Sequence, residues 1–126
     1  MKENQKFSIK NRLKSFKYAF NGLKILLKEE HNARIHLLAT VLVVFFGFIL
    51  KIHFLEWIAV IFAIGMVFAL EIINSAIENL ADFVSPEKHE MIAKIKDLAA
   101  AAVLVGAISA FLVGTIIFIP KIISIF

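Results

Sequence analysis

The sequence predicts an all-α integral membrane protein: an N-terminal amphipathic surface helix followed by three transmembrane helices, in a single membrane-embedded domain over residues 1–126. Three observations carry this prediction. The chain is 60 % hydrophobic with a mean hydropathy of +0.86, against the roughly 45–50 % apolar content of soluble domains. Three apolar runs approach or reach the ~20 residues that cross a hydrocarbon core. Nine of its 14 basic residues lie between Lys2 and Arg34, ahead of the first of those runs.

The surface helix is expected over about residues 6–30. Ile9, Leu13, Phe16, Phe20, Leu23 and Leu27 recur at spacings of four and three and form one apolar stripe. Lys10, Lys14, Lys17, Asn21, Lys24 and Lys28 follow the same spacings on another face. A helix of this kind lies in the membrane interface with its lysines near anionic headgroups, or packs on the bundle. The first transmembrane helix is expected over about residues 35–52, around the run Leu37 to Leu50. The second spans about residues 55–82; it is uncharged from Trp57 to Leu70 and then carries Glu71, Asn74 and Glu78. The third, about residues 97–119, has no charged residue between Leu98 and Ile119. Its Ala102, Gly106, Ala110 and Gly114 recur every four residues, a small-residue ridge along which a second helix can approach closely.

Loop charges orient the spans. The basic N-terminal region and the lysines Lys88, Lys94 and Lys96 place the N-terminus and second loop in the cytoplasm, with the first loop and the C-terminus outside. The absence of cysteine excludes disulfides, thiolate catalysis and Cys-based zinc sites. No apolar run follows the first basic residues closely enough for a cleaved secretory signal. The basic segment feeds directly into a span, so nucleic acid is not expected as a partner.

Glu71, Asn74 and Glu78 stand at i, i+3 and i+7 on one face of the second helix, and Asp82 continues that face. An ionisable group inside a span costs about 2.5–3.5 kcal/mol on insertion scales, so these carboxylates call for a divalent cation, a basic side chain or a water-filled pocket. Glu29, Glu30 and Arg34 close the surface helix at the cytoplasmic level, and Lys96-Asp97 is expected to open the third transmembrane helix there. Carboxylate oxygens suit magnesium, a lysine neutralises phosphate, and a carboxylate can take a proton from an attacking hydroxyl. Phosphoryl transfer at the membrane surface fits this assembly, as does a small oligomeric proton or cation transporter using Glu71 and Glu78. Carboxylates acting as structural glue alone are a third reading. No Walker-type loop or protein-kinase signature is present, and the four histidines have no zinc-ligand spacing. His31 and His36 read as interfacial polar residues; His89 alone lies near the polar cluster.

The stretch Glu71-Ile72-Ile73-Asn74-Ser75-Ala76-Ile77-Glu78 resembles the signature of prokaryotic diacylglycerol kinases, E-[ILTMA]-[IVL]-N-[ST]-A-[IV]-E. Asp82, Glu87, His89 and Lys96-Asp97 keep that family's order downstream, as do Ser15 to Ala19, Gly22-Leu23, Glu30 and Arg34 upstream. The resemblance runs from about Arg12 to Gly114. It implies a homotrimeric bundle with active sites between neighbouring subunits at the bacterial inner (cytoplasmic) membrane. It also implies ATP as co-substrate, Mg2+ as cofactor, and diacylglycerol or undecaprenol as the lipid phosphorylated. By the same resemblance Glu71 is the general base, Asn74 supports it, and Glu30 and Glu78 bind magnesium. Lys96 contacts phosphate, Asp97 organises the nucleotide pocket, and Tyr18, Asp82, Glu87 and His89 face the nucleotide. Ala93 stands where some members have glycine. Arg34-Ile35-His36 looks more like the undecaprenol kinase branch.

Overall fold

A computed structural model describes residues 7–126. Four helices follow one another, α1 (Ile9–Glu29), α2 (His31–Ile49), α3 (Phe54–Val84) and α4 (Glu90–Ile125), and there is no strand among the described residues. The last three are long and apolar enough to cross a membrane. The chain is a membrane protein.

Each helix start has a local cause. The Ser8 hydroxyl accepts from the Asn11 N–H at the start of α1; the expected start at residue 6 lies outside the described residues. His53 caps α3 reciprocally: its ring accepts from Leu55 N–H while Glu56 accepts from the His53 N–H. His89 caps α4 by accepting from Met91 N–H. That cap moves the start of the last helix well ahead of Lys96-Asp97, which therefore lies inside α4 and does not open it. The expected loop from Phe83 to Asp97 shrinks to residues 85–89, with Pro86 unable to extend α3. Between α2 and α3, Lys51 adopts a φ of 53°, and the Ile52 N–H returns to the Gly47 carbonyl to close the end of α2.

Packing is concentrated between α3 and α4; α2 lies on α3, and α1 touches α2 and α3. Ile52, Val60 and Ile117 form a small buried cluster at the end of the bundle next to the α2–α3 turn, flanked by Trp57, Val113 and Phe118. Lys121 pairs with Glu56 at that same end, 3.0 Å apart. Most large apolar side chains of α2, α3 and α4 remain exposed in the subunit, as expected where hydrocarbon is the solvent. On α1 only Leu26 is buried; Ile9, Leu13, Phe16, Phe20 and Leu23 of the apolar stripe are exposed.

Two glycines let helices meet. A Cβ at Gly47 would lie 2.7 Å from the Trp57 ring, and one at Gly106 would lie 2.5 Å from a Leu70 methyl. Gly106 thus takes part in a close α3–α4 contact, whereas Gly114 of the same ridge has nothing within 4 Å of a Cβ. An indole ring cannot fold out of the way, but a leucine methyl can rotate. Gly47→Ala is therefore expected to destabilise the protein by about 1–3 kcal/mol through overpacking, and Gly106→Ala by less. Detergent-induced unfolding followed by fluorescence of Trp57, the single tryptophan, checks the order.

Candidate functional site

The polar face of α3 lies towards the C-terminal end of the helix. At ~1.5 Å per residue, Glu71 lies about 25 Å along the helix from Phe54 and Glu78 about 36 Å. A hydrocarbon core is ~30 Å thick, so a span that begins at Phe54 would end between Glu71 and Glu78. A carboxylate at Glu71 is shielded further by protein. Glu71 is only 1 % exposed, and is the largest fully buried side chain among the described residues. Its Oε1 lies 3.1 Å from His36 Nε2 on α2. His36, expected as an interfacial polar residue, is half-buried and is the hydrogen-bond partner of Glu71. The edge of its ring also faces Phe68, with centroids 6.5 Å apart.

One turn further along α3, Asn74 is 9 % exposed and its Oδ1 is buried without a hydrogen-bond partner. A buried, unpaired amide oxygen is uncommon and costs free energy, so this atom is poised to accept from a ligand or to meet a cation. Ser75 beside it is buried, and its hydroxyl donates to Glu30 Oε1 at 3.1 Å. Glu30 is the single residue between α1 and α2, with extended backbone (φ −109°, ψ 116°). The chain turns there because Arg34 holds the end of α1. Its Nε donates to the Leu27 carbonyl at 2.7 Å and its Nη2 to the Lys28 carbonyl, satisfying acceptors that the helix terminus leaves free. Arg34 thus positions the backbone that delivers Glu30 to α3.

A third contact lies towards the end of α3. Lys96 on α4 donates to Asp82 at 2.5 Å, and the Glu78 charge also acts on Lys96. The remaining residues singled out from sequence are not drawn into these contacts. Tyr18 is 70 % exposed on α1. Glu87 and Asp97 are exposed, and the His89 ring is engaged in capping α4.

The structure therefore joins Glu30 to Ser75, Glu71 to His36, and Asp82 to Lys96, all around one end of α3. His36 and Ser75 had no role from sequence alone. His36 did carry a signal: it is the one ionisable residue between Ile35 and Leu50, facing a span that holds an unbalanced carboxylate. No three acidic or histidine side chains converge into a metal cage among the described residues. Among the oxygen donors near this end of α3 are the Glu30 and Glu78 carboxylates and the unpartnered Asn74 Oδ1. They suit a hard ion such as magnesium, which takes one or two carboxylates and fills its remaining positions with water and phosphate.

The family model for prokaryotic diacylglycerol kinase matches residues 17–118. An undecaprenol kinase of Bacillus subtilis is 35 % identical over 108 residues, covering 86 % of this chain and 88 % of the relative. A diacylglycerol kinase of Helicobacter pylori is 38 % identical over 100 residues, covering 79 % and 77 %. A diacylglycerol kinase of Escherichia coli K12 is 30 % identical over 105 residues, covering 83 % and 86 %.

Ser75→Ala removes the hydroxyl that ties Glu30 to α3. The expected cost is about 1 kcal/mol of stability, the usual net worth of one hydrogen bond, without loss of helix content. Chemical unfolding of the two proteins in the same detergent, followed by circular dichroism, checks it.

Proposed function

The chain belongs to the prokaryotic diacylglycerol kinase family, and on that premise we propose that it is an ATP- and magnesium-dependent lipid kinase whose general base is Glu71. The observation that carries the assignment of the base is the burial of Glu71 within a membrane helix, one turn from an unpartnered amide oxygen. A carboxylate so placed can meet a hydroxyl held at the membrane boundary, away from bulk water. The lipid is a membrane alcohol of the diacylglycerol or undecaprenol class, the two substrates named for its relatives.

In the reaction, the lipid hydroxyl oxygen forms a bond to the γ-phosphorus of ATP. The bond from that phosphorus to the β–γ bridging oxygen breaks, and its electron pair leaves with ADP. The hydroxyl proton passes to Glu71, at the carboxylate oxygen that His36 does not hold, and then to water once the products depart. Asn74 supports the site: its unpartnered Oδ1 can accept from a water held beside Glu71. Glu30 and Glu78 would hold magnesium, which supplies neutralisation of charge on the phosphate oxygens. Lys96 contributes a further positive charge to the phosphates and exchanges its Asp82 partner for them as nucleotide arrives. Asp97, Tyr18, Asp82, Glu87 and His89 form the nucleotide side.

Tyr18, Glu87 and Asp97 are exposed and hydrogen-bond to none of the other site residues in one subunit. A site completed by a neighbouring copy accounts for that, so we place the active sites between subunits of a homotrimer. The open position at Gly114 and the exposed apolar faces support such packing. α1 then lies on the cytoplasmic surface of the bacterial inner membrane, with its bare apolar stripe in the interface and the C-terminus outside. The proton or cation transporter reading is disfavoured, because the relatives are named as kinases.

Glu71→Gln keeps the shape and a hydrogen-bonding oxygen but cannot take a proton. It is expected to lower phosphoryl transfer by at least ~100-fold, while the protein still binds ATP and stays folded. Removal of magnesium by chelation is expected to abolish transfer reversibly. Full turnover by Glu71→Gln, measured as lipid phosphate formed in mixed micelles, would remove Glu71 from the chemistry.

A further inference from the structure

The contact between His36 and Glu71 joins two different spans. α2 offers no other ionisable side chain between Ile35 and its end, and the carboxylate on α3 has no other hydrogen-bond partner among the described residues. The imidazole is itself held in place. His36 stands two residues after the Arg34 clamp on α2, its backbone carbonyl accepts from the Thr40 hydroxyl at 2.7 Å, and Phe68 flanks its ring. His36 also lines an apolar cavity of about 460 Å³ between α2, α3 and α4, whose walls include Val43, Val67, Ala110 and Phe111. The ring thus stands between an apolar space and the buried carboxylate.

We propose that His36 is a positioning residue for phosphoryl transfer: its Nε2–H donates to Glu71 Oε1 and aims the other carboxylate oxygen at the lipid hydroxyl. This rests on Glu71 being the base. A carboxylate rotates freely about its last bond unless one oxygen is fixed, and a base must lie within hydrogen-bond reach of the proton it abstracts. His36 supplies that fixation from a separate helix, so the aim of Glu71 depends on how α2 sits on α3. His36 need not touch the substrate, and it neither gains nor loses a proton in the step; the hydroxyl proton goes to Glu71.

The test compares His36→Gln, His36→Leu and Glu71→Gln with the natural chain, each purified and corrected for its folded fraction. Glutamine retains an N–H that reaches Oε1; leucine fills the space with no donor. The expected result is a fall in kcat of about 10–100-fold for His36→Leu, the usual penalty for losing an orienting partner. KM for ATP and for lipid should stay within about twofold, and His36→Gln should recover most of the lost kcat. If His36→Leu yields no folded protein, His36→Asn replaces it. Its amide is shorter by one methylene and falls short of Oε1, so the same loss is expected. Unchanged kcat in the leucine or asparagine variant, or equal losses in glutamine and leucine, would overturn the proposal. An active Glu71→Gln would instead overturn the assignment of the base on which it rests.

Discussion

Keeping a carboxylate buried in a membrane-spanning helix constrains everything around it. Glu71 lies in a helix long and apolar enough to cross a membrane and is almost wholly covered by protein, where an unpaired charge costs several kcal/mol. That cost fixes where α2 must lie, because His36 is the partner the fold provides. It also explains why a bundle with few buried apolar side chains can hold a definite geometry. In lipid, apolar surface gives helices little reason to prefer one another, and close packing and polar contacts select the arrangement. Here the close contacts are Trp57 over Gly47 and Leu70 over Gly106, and the polar contacts are His36 with Glu71 and Glu30 with Ser75.

The break at Glu30 is the second element on which the site depends. A continuous helix through α1 and α2 would carry Glu30 around the helix surface, away from α3. The extended backbone at that one residue, with Arg34 donating to the last carbonyls of α1, turns its carboxylate onto Ser75. The same break ends α1 and starts α2, so one local event separates the two helices and sets the Glu30 carboxylate on Ser75. At the other end of the bundle, the Glu56–Lys121 pair and the His53 cap fasten α3 to α4 and to the α2–α3 turn. The two ends therefore divide the work: one secures the bundle, the other holds groups suited to chemistry.

Much of this was legible in the chain, for physical reasons that differ by element. The three spans are visible because a hydrocarbon core demands long apolar runs, and the polar face of α3 because Glu71, Asn74 and Glu78 violate that demand at helical spacing. The extent of α4 was less visible. Lys94, Lys96 and Asp97 look like loop, and the hydrogen bond that starts the helix at His89 is a capping contact that hydropathy does not register. The contact that His36 makes was not legible, because a histidine near a membrane boundary is ordinary; only the position of α2 against α3 reveals what it faces. The family signature made Glu30 and Glu78 candidates as ligands, but it gave no account of Ser75 or Arg34, which set the direction of Glu30.

The most direct measurement is transfer of label from [γ-32P]ATP, with magnesium, to lipid in micelles containing the purified protein and either diacylglycerol or undecaprenol. The account predicts a labelled lipid phosphate in at least one of the two, formed one for one with ADP. Folded, oligomeric protein that labels neither lipid, yet carries protons or cations across a vesicle membrane, would contradict it.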